Sequence, residues 1–313
     1  MITPRPVALL ASVVALAGCG ASSVPSATRG PLPRPEVTLT ASERAAWAPG
    51  PARRSAIPVL VYHGVAPAAA FAHREDADLA VDPPRFTKQM LLLQQAGYET
   101  ITLSQFVRFL RGAPARLPPR PFVLTFDGRR DSWTGTDATL RDLGLNAVLF
   151  VDVGRVEAGD PEHLSWAQLR ALQRSGRWEV QLESGSGKQL IRWGPRRDDV
   201  GPFYAYRGSE EVLGGWRERV FSDLAWGEDQ LATRIPGYRP LAVAPPYGNF
   251  GQVATNDPRI PRLLRARLLD AFHVVFTQDR SPLARPRAGR VAGRLQITRN
   301  TTEHELRSRL APR

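Results

Sequence analysis

The chain has 313 residues, enough for one large α/β domain or two small ones. Lys and Arg together number 42 against 30 Asp and Glu, a formal charge of +12, and only Lys88 and Lys188 are lysines. The single Cys excludes a disulfide framework and a Cys-based zinc cluster, and five His leave few imidazoles for any metal. The basic excess suits anionic lipid or anionic wall polymers. The Arg residues are scattered rather than gathered on one basic helix with interleaved aromatics, which argues against nucleic-acid binding.

The first segment reads as a targeting signal. Arg5 supplies a positive start, and residues 7–17 form an apolar run broken only by Ser12, too short to span a bilayer. It ends in Leu16-Ala17-Gly18-Cys19. This resembles the lipobox of bacterial lipoproteins, and the only Cys in the chain stands where that motif needs it. The resemblance implies a signal peptide over 1–18, lipid attachment at Cys19 and an extracytoplasmic location on the cell membrane. Several acyl chains on one residue give a stable anchor where a single chain would not. Residues 19–55, rich in Pro, Ser, Ala and Arg, read as a flexible linker. Residues 56–313 carry no second shift in composition and no repeat, so they read as one domain.

Within that domain short apolar strands alternate with amphipathic stretches. Residues 57–62 predict a buried strand, 84–96 a helix closed by Gly97, and 98–103 a strand. Ser104 is the expected cap of a helix running to Leu110. Strands are expected at 122–126, 147–151, 178–182, 241–244 and 273–276. Helices are expected at 132–143, from a Ser165 cap to Leu172, at 210–235 with weak points at Gly214, Gly215 and Gly227, and at 261–269. One more short strand and a helix complete the chain. This alternation predicts parallel strands covered by helices, a barrel or an open doubly wound sheet, with function just past the C-terminal strand ends.

Three strand ends hold the informative residues: Asp127, Glu183 and the run Pro245-Pro246-Tyr247-Gly248. Here the chain resembles the polysaccharide deacetylases, the NodB-homology domain of carbohydrate esterase family 4, over about residues 57–300. The segment 57–65 (IPVLVYHGV) is similar to the opening strand of the branch acting on poly-N-acetylglucosamine. Residues 122–131 (FVLTFDGRRD) are similar to the family's Thr-Phe-Asp-Asp-Gly motif, 175–179 (SGRWE) to the approach to its His motif, and 244–248 (APPYG) to its Pro-Tyr-Gly motif. The resemblance implies an α/β fold, a distorted (β/α) barrel, and hydrolysis of N-acetyl groups on an extracellular polysaccharide. In that family a divalent metal such as zinc, held by Asp-His-His, lowers the pKa of a water and polarises the carbonyl. The motif's first Asp serves as general base, and a backbone N–H near the motif Tyr helps hold the oxyanion.

This sequence departs from the pattern at the metal. The first Asp is Asp127, but Gly128 follows directly, either through deletion of the second Asp or through its replacement. The two His positions hold Glu183 and Gly187, and no His lies between His163 and His273. The Arg that begins the Pro-Tyr-Gly motif in many members is Ala244 here. No bound metal and no cofactor are therefore expected. Asp127 and Tyr247 remain the candidate catalytic residues, and Glu183, Pro246 and Tyr247 the candidate substrate contacts. Asp127 reads equally as a surviving base or as a relic at a strand end, Tyr247 as a sugar-stacking wall or as part of a rigid turn. A carboxylate metal site from Asp127, Asp131 and Glu183 is the less favoured reading. His63 reads as a structural histidine, and His73, Asp76 and Asp78 as solvated loop residues. Gly185-Ser186-Gly187-Lys188 resembles a phosphate loop but lacks the Walker spacing.

Three functional readings follow. The chain engages an N-acetylated polysaccharide as a catalytically impaired deacetylase-like protein, it is a non-catalytic glycan-binding or scaffold lipoprotein, or it hydrolyses without metal through Asp127 and Glu183.

Overall fold

The structure, a computed structural model, describes residues 31–71, 74–128, 130–157 and 162–310; the side chains of residues 74–76, 130 and 131 lie outside the description. Cys19, the signal segment and His73 fall outside the described residues. The strands are β1 (Ile57–Tyr62), β2 (Tyr98–Thr100), β3 (Arg120–Asp127), β4 (Ala147–Asp152), β5 (Trp178–Ser184), β6 (Leu190–Arg192), β7 (Val200–Pro202), β8 (Ala242–Val243), β9 (Val274–Thr277), β10 (Leu283–Ala284), β11 (Val291–Gly293) and β12 (Leu295–Ile297). The helices are α1 (Ala41–Ala46), α2 (Arg74–Leu79), α3 (Pro83–Gln95), α4 (Leu103–Leu110), α5 (Arg130–Thr134), α6 (Asp137–Asp142), α7 (Trp166–Arg174), α8 (Leu213–Arg234), α9 (Ile260–Ala271) and α10 (Glu303–Leu310).

The main sheet runs β1-β3-β4-β5-β8-β9-β11 with parallel neighbours. β12 returns to pair in parallel with β1, so the sheet closes on itself through the β11–β12 junction, where Arg294 stands. This is the distorted (β/α) barrel that the family resemblance implies, rather than the open doubly wound sheet that the alternation alone also allowed. β10 adds an antiparallel edge to β1, and β6 and β7 form a separate hairpin.

Period-two alternation sorts the strand residues between two cores. Leu60 and Tyr62, Phe122, Leu124 and Phe126, Leu149 and Val151, and Trp178, Val180 and Leu182 face outward and pack under the helices. Ile57 and Val59, Val123, Val148 and Phe150, and Val274 and Phe276 fill the barrel together with Phe106 and Phe109 of α4. Phe106 stacks on Phe276 at 5.7 Å between ring centroids, plugging the end opposite the strand C-termini. β5 breaks this apolar filling. Its inward row is Glu179, Gln181 and Glu183, and each is satisfied by side-chain bonding: the Leu103 amide donates to Glu179 at 2.8 Å and the Ala242 amide to Gln181 at 2.8 Å. Gln181 thereby extends the short β5–β8 ladder, which has only one register pair.

Several local expectations change. The helix after β2 is capped by Thr102 rather than Ser104, because Gln105 completes a reciprocal capping box with Thr102. The predicted helix 132–143 is two short helices, α5 and α6, interrupted at Gly135 and Thr136. The linker expected over 19–55 is not free from residue 31 onward. Thr40 and Glu43 form a capping box on α1, and Leu39 and Trp47 (5% exposed) join the outer core. Arg307 of α10 donates to the Ala46 carbonyl at 2.6 Å, tying this segment to the far end of the chain. At α8 the glycines produce no break, and the helix runs unbroken from Leu213 to Arg234.

Candidate functional site

Asp127 ends β3 on the inward face, and the β1–β3 register that pairs Tyr62 with Phe126 brings His63 beside it. His63 Nε2 lies 3.2 Å from Asp127 Oδ2. The second carboxylate oxygen accepts from Arg294 Nη1 at 2.7 Å, and both residues of that pair are buried, at 7% and 3% exposure. Arg294 also lies over the Phe150 ring, 5.5 Å from its centroid, so one barrel row supplies both its carboxylate and its aromatic contact. Burial pushes the Asp127 carboxyl up, but the charges of Arg294, His63 and Lys188 outweigh it and hold the group below its ordinary value.

Glu183 ends the inward row of β5 and is 3% exposed. Its partner is Lys188, whose ammonium lies 3.0 and 3.1 Å from the two carboxylate oxygens. Burial pushes Glu183 up to about 7 despite this partner, with Asp127 adding to the rise. Lys188 is pulled down by burial but raised more strongly by Glu183, Asp127 and Asp152, so its ammonium is held above its ordinary value. Asp152, at the end of β4, is buried as well and sits 3.4 Å from Arg155. Burial is the main cause of its raised carboxyl.

The turn after β8 completes the rim. Pro246 is buried beneath it, while Tyr247 projects outward at 53% exposure with φ +60°. The Tyr247 hydroxyl donates to the Lys188 carbonyl at 2.8 Å, fixing the backbone of the loop that delivers the ammonium. Gln278, following β9, lies 3.4 Å from His63 Nε2 and donates to Gln296 at 3.0 Å. The ends of seven barrel strands thus converge on one cluster of alternating charge.

This architecture matches solved deacetylase structures along nearly their whole length. A de-N-acetylase from Aggregatibacter actinomycetemcomitans superposes with a TM-score of 0.67 at 18% identity, covering 81% of this chain and 99% of that one. IcaB from Ammonifex degensii gives 0.63 at 23% identity over 84% and 98% of the two chains. The BpsB deacetylase domain from Bordetella bronchiseptica gives 0.61 at 22% identity over 79% and 97%. The fold is that of the NodB-homology polysaccharide deacetylases. No family model and no curated relative matches the chain by sequence.

The residues at the positions where the family resemblance implies metal ligands do not fit a metal. A Cβ on Gly128 would collide with the Phe150 carbonyl oxygen, and one on Gly187 with the Tyr204 ring. That ring is held by its hydroxyl, which donates to Asp223 at 2.5 Å, so it cannot swing aside cheaply. Neither position has space for a ligating side chain. Asp127 is engaged by Arg294 and His63, and Glu183 by Lys188. Among the described residues no group of three or more His, Cys, Asp or Glu side chains is arranged to hold a metal ion.

The deacetylase fold therefore brings Asp127, Glu183 and Tyr247 to one end of the barrel, as their strand-end positions predict, but with different exposures. Tyr247 faces solvent, whereas Glu183 lies under Lys188 and Pro246 under Tyr247. Arg294 and Asp152 join this cluster without a signal at their sequence positions, and His63 and Lys188, expected as a structural histidine and as part of a glycine-rich loop, stand within it. Lys188 did carry one signal: it is one of two lysines in a chain with 40 arginines. Asp78 lies outside this cluster and pairs with Arg299 at 3.2 Å.

Proposed function

We propose that this chain is an extracytoplasmic lipoprotein, anchored through Cys19, that engages N-acetylated polysaccharide at the strand-end site without metal-dependent deacetylation. The observation that carries this reading is the Lys188 ammonium seated on Glu183, with no side-chain room at Gly128 or Gly187. A metal-activated water needs about three protein ligands and an open position. Here the surviving carboxylates are neutralised by cationic side chains instead. Asp127 also makes a weak general base, since its proton affinity is lowered by Arg294 and proton transfer is most efficient when the base's pKa lies near the working pH. The exposed Tyr247 ring offers an apolar face of the kind that packs on a sugar ring.

The test is metal analysis of the purified full chain, followed by acetate release from N-acetylglucosamine oligomers and calorimetric titration with the same oligomers. Oligomer binding without stoichiometric zinc, nickel or cobalt and without acetate release supports the reading. Stoichiometric metal with metal-dependent release overturns it.

A second reading has its own observation. Glu183, pushed up to about 7, is poised for acid–base work near neutrality, and Asp127 lies close enough to perturb it. A metal-independent hydrolase using this carboxylate pair predicts chelator-resistant acetate release that disappears in Asp127→Asn.

A further inference from the structure

The charge at the heart of this site is supplied by the chain itself. Lys188 stands between the buried carboxylates and the opening of the barrel. Its ammonium contacts both oxygens of Glu183, while 32% of its side chain remains exposed. Asp127 and Asp152 act on the same ammonium electrostatically. Its backbone is pinned from a different strand end by the Tyr247 hydroxyl. Among the described residues, the exposed groups beside this ammonium include the Tyr247 ring, His63, whose side chain is 20% exposed, and Arg155, which pairs with Asp152.

Such an arrangement selects among ligand groups. An ammonium has three N–H donors, and the Glu183 carboxylate engages one side of it. An anion approaching it would compete with the Glu183 carboxylate already seated on the same ammonium. A protonated amine would meet the ammonium head-on. A neutral, strongly dipolar acceptor meets neither penalty, and an amide carbonyl beside a sugar ring is such a group. The Tyr247 ring stands at the same rim to take the apolar face of that ring.

We propose that Lys188 is the built-in cation of this site and that its ammonium, in place of a metal ion, receives the acetamido carbonyl of the glycan. Lys188 is then a specificity-determining residue, and the inference rests on the glycan-binding reading above. A charge-assisted hydrogen bond to the carbonyl makes recognition of the acetyl group independent of divalent ions.

The test compares binding of N-acetylglucosamine oligomers and fully deacetylated glucosamine oligomers of the same length to the full chain, with and without EDTA. The wild type is expected to prefer the acetylated oligomer by about tenfold or more, the range of a hydrogen bond to a charged group. EDTA is expected to leave that preference unchanged. Lys188→Met removes the preference, and Lys188→Arg, which keeps the charge, retains part of it. Because Lys188→Met leaves Glu183 buried without its partner, the double variant Lys188→Met/Glu183→Gln, in which neither charge remains, is measured beside it. Tyr247→Ala weakens both oligomers, because it removes the ring as well as the bond that pins Lys188. A wild type that binds both oligomers equally, a preference abolished by EDTA, or a Lys188→Met or double variant that keeps the full preference overturns the assignment of Lys188. Failure of the wild type to bind either oligomer overturns the glycan-binding reading itself.

Discussion

Arg294 reaches Asp127 from the junction of β11 and β12, so the residue at the point of barrel closure also neutralises the carboxylate at the end of β3. The family resemblance places an Arg at the start of the Pro-Tyr-Gly motif, where this chain has Ala244. The guanidinium on Asp127 comes from Arg294, fifty positions after Ala244. Removing one partner of a buried ion pair leaves an uncompensated charge, whereas removing both does not. Arg294→Met is therefore expected to destabilise the fold by about 3–5 kcal/mol. Asp127→Asn/Arg294→Met should recover a large part of that loss, and urea denaturation of the two variants checks it.

Glu183 gives the stability a pH dependence of definite sign. Its folded value of about 7 lies above its ordinary 4.5, so the folded state holds the proton more tightly than the unfolded chain. The contribution is complete below pH 4.5 and is lost as the pH rises through 7. Its full size is on the order of 3 kcal/mol. Glu183→Gln cannot titrate, so the wild type should lose stability relative to this variant across that window. Thermal melts of both proteins in a pH series measure the difference. Parallel curves would refute the raised value.

Restoring an acidic residue at position 128 should not restore a metal site. The side chain would be driven against the Phe150 carbonyl, which belongs to a central strand. Gly128→Asp is expected to cost more than about 2 kcal/mol and to bind no zinc. Calorimetry and thermal melting report both. Tight stoichiometric zinc in a stable variant would refute the steric argument.

Tyr247 separates a structural from a recognition role. Tyr247→Phe keeps the ring and loses only the hydrogen bond to the Lys188 carbonyl, about 1 kcal/mol. Tyr247→Ala loses the exposed face as well. Oligosaccharide affinity should fall roughly three- to tenfold in the Ala variant relative to the Phe variant. Equal affinities would remove Tyr247 from the binding surface.

The segment before the barrel contributes to the fold as well. Trp47 is buried against the outer core although it precedes β1. Trp47→Ala is expected to cost about 3–5 kcal/mol. Deletion of everything before residue 50 should cost at least as much, measured by chemical denaturation.

The barrel was legible in the sequence because its strands are continuous apolar runs and its charged or special residues stand where those runs stop. Asp127, Glu183 and Tyr247 were found that way. Lys188 was not, because its position depends on a non-local contact: a loop five residues past Glu183 folds back and is pinned by a tyrosine from another strand end. Arg294 gave no signal among 40 arginines, and only barrel closure brings it to Asp127. The inward polar row of β5 was visible as an alternation, Glu179-Val180-Gln181-Leu182-Glu183, yet the surrounding strands are apolar on both faces and set no expectation of a polar interior. The Thr102 cap was available from the Thr-x-x-Gln spacing, and Ser104 competed with it only as a residue type.

The amide of Leu32 donates to the Thr134 carbonyl at 2.9 Å. Thr134 ends α5, which departs from the barrel end that carries Asp127. The described chain thus begins beside the mouth of the site rather than at the plugged base. With Cys19 as the lipid attachment proposed above, the stretch from Cys19 to Leu32 reaches roughly 45 Å at full extension. On that proposal, a leash of this length fastened beside the mouth would hold the mouth within that distance of the bilayer. The glycan such a site would meet is then the part of the polymer nearest the bilayer.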